Sequence, residues 1–252
     1  MAEPVLDYQE VVKEYTSSHL GRVTRSRGLE GFTLTLRKGE IFGLLGLNGS
    51  GKTTAFKLAL GLLRPTEGEV RVAGHAPGTL DALAEVGYLP ELPYFYPYLT
   101  PRESLDFYGR LSQMPAAELH ARREEVLEKV GLRDAAGREA KGFSKGMLQR
   151  LGLAQAILHR PNIIILDEPV SGLDPLAIHD IRILLKELND DGRTLLMSSH
   201  SISNVENLCH RVGILVEGRL VRTIEQAEWA GQPGSLERIF VDTVRPRREV
   251  KR

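Results

Sequence analysis

Two runs of residues, more than a hundred positions apart, could do chemistry together. Gly46-Leu47-Asn48-Gly49-Ser50-Gly51-Lys52-Thr53 follows the pattern G-x-x-x-x-G-K-[ST]. Its glycines let the backbone curl so that N–H groups point at phosphate oxygens; Lys52 can then reach the β- and γ-phosphates, and the Thr53 hydroxyl can hold Mg²⁺. The second run is Ile163-Ile164-Ile165-Leu166-Asp167-Glu168. Asp167 can join the Mg²⁺ shell there, and Glu168, one residue further, can polarise a water against the γ-phosphate. Phosphoryl transfer asks a protein mainly for positioning and charge stabilisation, so these parts suffice to hydrolyse a nucleoside triphosphate.

The flanking residues must hold those groups in place. Glu40 to Leu45 reads as a buried strand and Thr54 to Leu63, with Phe56, Leu58, Leu60 and Leu62, as a helix. A strand thus feeds the phosphate loop and a helix leaves it, adding unpaired N–H groups and a positive dipole end to the anion site. Residues 5–90 read as strands broken by turns around that loop. Residues 92–158 read as helices, including Pro115 to Val130 with Gly131 as a stop. The α/β pattern then returns: Ile163 to Leu166 and Thr194 to Ser199 as buried strands, Leu176 to Leu188 as an amphipathic helix, and Val212 to Val216 as a further strand. A helical block is inserted in an α/β core.

Composition narrows the partners. Over 252 residues, 33 Lys and Arg balance 33 Asp and Glu, so no global basic field draws in nucleic acid. The single cysteine, Cys209, excludes an internal disulfide, suits a reducing compartment and reads as a small buried hydrophobe. Met1 to Asp7 lacks the basic and apolar regions of a signal peptide, and no apolar stretch approaches the ~20 residues that span a bilayer. A cytoplasmic chain that does not itself cross a membrane is expected.

Three further motifs complete an ordered set: Ser144-Lys145-Gly146-Met147 after Phe143, Ser171-Gly172-Leu173-Asp174, and His200 after Ser198-Ser199. In this order the chain, from about Val5 to Leu236, resembles an ATP-binding-cassette (ABC) ATPase. Gly46 to Thr53 matches Walker A, Ser144 to Met147 the signature, Ile163 to Glu168 Walker B, Ser171 to Asp174 the D-loop and His200 the switch histidine. The resemblance implies a P-loop NTPase (RecA-like) α/β core with an antiparallel β subdomain and an inserted helical subdomain. All of 1–252 would form one ABC domain, with the core at about 1–91 and 159–222, the helical subdomain at about 92–158 and a C-terminal extension at about 223–252.

It also implies ATP and Mg²⁺, and a head-to-tail dimer, of like or unlike protomers, with each ATP between Walker A of one protomer and the signature of the other. The implied ATP-contacting residues are Tyr15, which would stack on adenine, Gly46, Asn48, Gly49, Ser50, Gly51, Lys52, Thr53, Thr54 and Glu91. Ser144, Lys145, Gly146, Met147 and Asp174 complete that set. Glu168, His200 and Lys52 are the implied catalytic residues; Thr53, Asp167 and Glu91 are the implied metal ligands. Within one protomer Ser144 reads equally as a helix N-cap, and Tyr15 as a strand-end tyrosine.

Two departures are informative. Glu91 stands where the family usually has Gln, which adds negative charge beside the phosphates and Glu168. Lys145 and Met147 replace the second Gly and the terminal Gln of the signature. Together they look like the exporter-type branch called ABC-2, whose ATPase is a separate chain. Membrane permease subunits would then be partners, and the protein peripheral at the inner face of the cell membrane. The alternatives are a non-transport ABC ATPase acting on nucleic acid or the ribosome, disfavoured by the neutral charge, and an ATPase that regulates a membrane protein.

Seven of the fifteen aromatics fall within residues 88–108. Phe107 and Tyr108 are expected in the core of the helical block. The stretch Pro93-Tyr94-Phe95-Tyr96-Pro97-Tyr98 is harder to bury and suits an interface, where aromatics are favoured anchors. It lies where the family docks the membrane subunit's coupling helix. Thr16 to Leu29 carries His19, Arg22, Arg25 and Arg27 and reads as a solvated hairpin, or as a reach toward a membrane subunit or lipid. The basic tail from Arg245 to Arg252 reads as a frayed terminus or a contact with anionic headgroups.

Overall fold

A computed structural model describes residues 4–19, 22–231 and 234–249. In chain order the elements are β1 (Leu6–His19), β2 (Arg22–Leu36), β3 (Ile41–Leu45), α1 (Lys52–Ala59), β4 (Glu67–Val72), α2 (Leu80–Glu85) and β5 (Val86–Leu89). There follow α3 (Pro101–Leu111), α4 (Ala116–Lys129), α5 (Lys145–Ile157), β6 (Ile163–Leu166), α6 (Pro175–Asp190) and β7 (Thr194–Ser199). The chain closes with α7 (Ile202–Glu206), β8 (Arg211–Val216), β9 (Arg219–Glu225) and α8 (Ser235–Glu249). The architecture is an α/β P-loop core of RecA type with parallel strands, an antiparallel β subdomain and an inserted helical subdomain. The chain divides into two compact units, residues 1–83 with 196–252, and residues 84–195.

In the first unit, β2, β1 and β4 form an antiparallel sheet. β1 and β2 pair from Leu6–Leu36 out to His19–Arg22, with bulges near Val11 and Lys13. The Thr16 to Leu29 segment is therefore the outer part of a hairpin, as expected; residues 20 and 21 lie outside the described residues. Tyr8 and Phe32 meet edge to face at 5.1 Å beneath it, and the buried Tyr8 hydroxyl donates to the Ala55 carbonyl of α1 at 2.9 Å. That bond ties the sheet to the helix after the phosphate loop. β3, buried throughout, pairs in parallel with β8, which pairs antiparallel with β9.

α1 is shorter than Thr54 to Leu63. Leu60 caps it and Gly61 turns left-handed at φ 70°, with its Cα face against Gly78. α8 carries helix through Arg245 to Glu249, where a frayed tail was expected; Lys251 and Arg252 lie outside the described residues. Leu236 and Val244 of α8 are buried, as is Trp229 just before it, whose indole N–H donates to the Glu206 carbonyl. Cys209 is buried, and burial pushes its thiol well above the usual range.

In the second unit, β5 and β6 pair in parallel and end together at Leu89 and Leu166. β6 is Ile-Ile-Ile-Leu, buried at every position. Gly87 lets α5 close on β5, because a Cβ there would stand 2.0 Å from the Ala156 carbonyl oxygen. α3 begins in a reciprocal Thr100–Glu103 cap with Pro101 in its first turn. Its aromatics are placed otherwise than expected: Phe107 is 40% exposed and Tyr108 half-buried, whereas Phe95, in the stretch read as hard to bury, is buried. Phe95 meets Tyr108 edge to face at 5.9 Å, and Phe107 meets Tyr96 likewise, so α3 supplies the wall on which the stretch rests.

Candidate functional site

In the first unit, the phosphate loop is built on the end of β3. A Cβ on Gly46 would stand 2.6 Å from the Leu215 carbonyl oxygen, so only glycine lets the loop leave this close to β8. Gly49 and Gly51 take φ of 78° and 113°, left-handed conformations that allow the chain to curl. Lys52 is buried, and its ammonium donates to the Gly46 carbonyl at 2.6 Å, inside the curl. Asn48, Gly49 and Thr53 are exposed. The first turn of α1 follows immediately, presenting its backbone amides and the positive end of the helix dipole to the loop. Lys52 and these amides make a cradle for phosphate oxygens.

Tyr15 joins this loop through its hydroxyl, 3.1 Å from the Thr54 hydroxyl. Its ring lies over Gly28, where a Cβ would meet Cε2 at 2.6 Å, and remains more than one third exposed. Lys13 stands over the same ring, 5.6 Å from its centroid. Sequence reasoning missed Gly28 and this hydroxyl pair; a glycine among arginines in an otherwise extended strand was the available signal. The Ser50 hydroxyl is buried without a hydrogen-bond partner, while its backbone carbonyl accepts from the Gly218 N–H at 2.8 Å. His200 follows β7 and is exposed.

In the second unit, the parallel pair β5 and β6 releases Glu91 and Asp167-Glu168 at the same end, where α/β sheets bind ligands. The Asp167 N–H donates to the Leu89 carbonyl at 2.8 Å, and both acids that follow β6, Asp167 and Glu168, are buried. Glu168 holds φ 48°, a left-handed conformation that costs a non-glycine residue on the order of 1 kcal/mol and clusters at functional positions. Burial, followed by the Asp167 charge, pushes the Tyr88 hydroxyl up to about 12. Glu91 is exposed.

The signature residues open α5. Ser144 is its N-cap, accepting from the Met147 N–H at 3.3 Å. Asp174 caps α6 in the same way, accepting from the Ala177 N–H at 2.9 Å. A Cβ on Gly146 would come within 3.7 Å of Ala177 Cβ, so the two helix N-termini lie side by side; Arg150 and Asp180 pair across them at 2.7 Å. Ser144, Gly146 and Asp174 are thus brought together, and Lys145 lies over Gly172. The Arg150–Asp180 pair was not read from the sequence.

The donors fit the implied groups. In the first unit a Cβ on Gly46 or Gly51 would strike backbone atoms, so glycine keeps the phosphate loop open, and the Thr53 hydroxyl is there as an oxygen donor; in the second unit Asp167 and Glu91 carry carboxylates of the kind that suits Mg²⁺. Among the described residues no three His, Cys, Asp or Glu side chains gather to hold a metal by themselves.

Comparison with known proteins gives the family. The sequence model of the ABC transporter family matches residues 29–171, more than half of the chain. The chain is 46% identical over 195 residues to an uncharacterized ABC transporter ATP-binding protein, all4389, of Nostoc, a match that covers 77% of this chain and 58% of that protein. It is 38% identical over 195 residues to the linearmycin resistance ATP-binding protein LnrL of Bacillus subtilis, covering 77% and 63%. The chain therefore spans about three fifths of these relatives. Among solved structures, it resembles the dimeric post-hydrolysis state of the ATP-binding cassette MJ0796 bound to ADP and Pi, with a TM-score of 0.78 and 26% identity over 88% of this chain and 98% of that one. A phosphate loop with its lysine in place, and a family match that runs from β2 through the two acids after β6, lead to one conclusion: the chain belongs to the ABC transporter family as an ATP-binding domain.

Proposed function

We propose that this chain is the ATP-hydrolysing subunit of an ABC exporter of the ABC-2 branch, working as a dimer beneath membrane permease subunits at the inner face of the membrane. The observation that carries the ATPase assignment is Lys52, whose ammonium rests on the Gly46 carbonyl within the loop's own curl. In this reading Lys52 exchanges that carbonyl for the β- and γ-phosphates, while loop amides and the first turn of α1 hold the remaining oxygens. The exposed face of Tyr15 stacks on adenine. Thr53, Asp167 and Glu91 would hold Mg²⁺, which when bound would neutralise phosphate charge.

Glu168 orients a water toward the γ-phosphorus and takes its proton as the bond to the β-phosphate oxygen breaks, leaving ADP and phosphate. His200 steadies the γ-phosphate. Ser144 and the Gly146 N–H of a second protomer close over that phosphate, with Lys145, Met147 and Asp174 around them. The dimeric MJ0796 cassette with ADP and Pi supports this arrangement.

The exporter assignment rests on Glu91, Lys145 and Met147, and the name of the linearmycin resistance relative supports it. No described helix is long and apolar enough to cross a membrane, and Tyr94, Tyr96, Tyr98 and Phe107 present exposed rings that suit the docking of a membrane subunit. Purification of the tagged chain from membranes tests the whole reading. A multispanning protein should copurify, with Mg²⁺-dependent ATP hydrolysis that Lys52→Ala abolishes. Recovery with ribosomes or nucleic acid instead would replace the exporter by a non-transport ATPase.

A further inference from the structure

A cavity of about 340 Å³ lies in the second unit, among α4, the C-terminal ends of α5 and α6, and the start of β6. Arg122, Lys129, Arg160 and Arg193 line it with two acids, Glu125 and Asp191. Both acids are already engaged, Glu125 by Arg122 and Asp191 by Lys129 at 2.6 Å. Positive groups outnumber negative ones four to two. The Asp191 carboxyl is held below its usual value by the Lys129 hydrogen bond and charge, with Arg193 and Arg122 adding to the same field.

Two of these cations, Arg122 and Arg193, are held by backbone carbonyls rather than dangling. Arg122 is only 8% exposed, and its Nε and Nη2 donate to the Leu158 and Ile157 carbonyls at 3.1 and 2.8 Å. A guanidinium carries five N–H donors. Protein acceptors take three from Arg122, and those around Arg193 converge on its Nη1 alone. Donors therefore remain for a guest.

Arg160 adds an independent sign. It stands just past α5 at φ 57°, a left-handed position that usually falls to glycine after a helix. Its carboxylate partners, Glu118 and, at 3.8 Å, Glu125, are about half-exposed, and pairs of that kind contribute little to stability. An arginine thus stands at a glycine position and lines the cavity of positive charge.

We infer that this cavity binds a small, multiply charged phosphate-bearing anion. It lies at the opposite end of β6 from Asp167 and Glu168, so it is separate from the nucleotide-site acids of that strand. Its volume is at the lower end of ligand pockets, and arginine forks match phosphate oxygens in pairs.

The test is calorimetric titration of inorganic pyrophosphate into the full chain carrying Lys52→Ala, so that the phosphate loop has lost its ammonium. Saturable binding is expected. Adding Arg160→Gly should weaken it roughly tenfold or more, since hydrogen bonds to a charged group are lost. The melting temperature should hold or rise, because glycine suits the backbone there. Adding Glu125→Gln instead should tighten binding by releasing Arg122 and Arg160 from the Glu125 carboxylate. Absence of saturable binding up to millimolar pyrophosphate, or binding that neither substitution alters, would overturn the site.

Discussion

The ammonium of Lys145 lies 2.5 Å from where a Cβ on Gly172 would stand, so the lysine that departs from the signature pattern occupies the space above the D-loop glycine. Gly172 is at φ 66°. Gly172→Ala should lower the unfolding free energy by about 1 kcal/mol, the cost of a left-handed alanine. Lys145 is a flexible chain end and can move aside. The loss in urea denaturation should therefore persist in a Lys145→Ala background, and a loss that vanished there would put the cost in the contact instead.

Glu168→Gln keeps the shape of the side chain and removes the base. ATP binding should persist while turnover falls about a hundredfold or more, the usual contribution of a positioned general base. The trapped protein should elute as a dimer with ATP, and Ser144→Arg should abolish that shift by placing bulk at the phosphate. Ordinary ATPase activity in Glu168→Gln would remove Glu168 from the water-activating role.

Glu91 leaves the sheet beside Asp167 at the paired ends of β5 and β6. If it ligates or screens Mg²⁺, Glu91→Gln should shift the Mg²⁺ and Mn²⁺ dependence of hydrolysis more than the affinity for ATP. Superimposable metal titrations would assign Glu91 to the membrane-subunit contact alone.

Glu40 and Arg211 form a buried ion pair at 3.3 Å in the first unit. Burial pushes the Glu40 carboxyl up against the pull of the Arg37 N–H and Arg211, and pushes Arg211 down. A raised carboxyl stabilises the fold while protonated, and that advantage disappears as pH climbs from about 4.5 through the folded value. Glu40→Gln should therefore gain on the wild type over that rise. Arg211→Met at neutral pH should cost about 3 kcal/mol, because it strands a buried carboxylate. Equal pH profiles for wild type and Glu40→Gln would show that the carboxyl titrates as in the unfolded chain.

Much of this was legible because some runs report themselves. Ile163 to Leu166 is apolar at every position and β-branched at the first three, the pattern of a strand covered on both faces, and β6 has those bounds. The phosphate loop is legible because its glycines answer a backbone need that the sequence spells out. Where partners lie far apart in the chain, the sequence was silent. Tyr15 meets Thr54 and Gly28 only through the bulged register of β1 and β2, and the left-handed backbone of Glu168 leaves no trace in residue type. Phe107 misled because a large ring in a helix reads as core, whereas the buried side of α3 includes Ser104, Leu105 and Gly109.

That exposed Phe107 sharpens the docking prediction. Tyr96 lies 5.9 Å from both Tyr98 and Phe107, and Tyr94 and Tyr98 are exposed by 77% and 64%, while Phe95 anchors the stretch from below. Exposed rings held by a buried neighbour keep their geometry without a partner, which lowers the entropy lost when one docks. Each ring that is a hot spot should then cost about 2 kcal/mol or more of binding on truncation. Tyr94→Ala with Tyr96→Ala should release the chain from membranes and leave its soluble ATP hydrolysis largely intact. Phe95→Ala, by contrast, should lower the melting temperature as well, because it removes the buried support. If the double tyrosine variant still copurifies with a multispanning protein at wild-type yield, the rings are not the docking surface and the membrane subunit must engage another face.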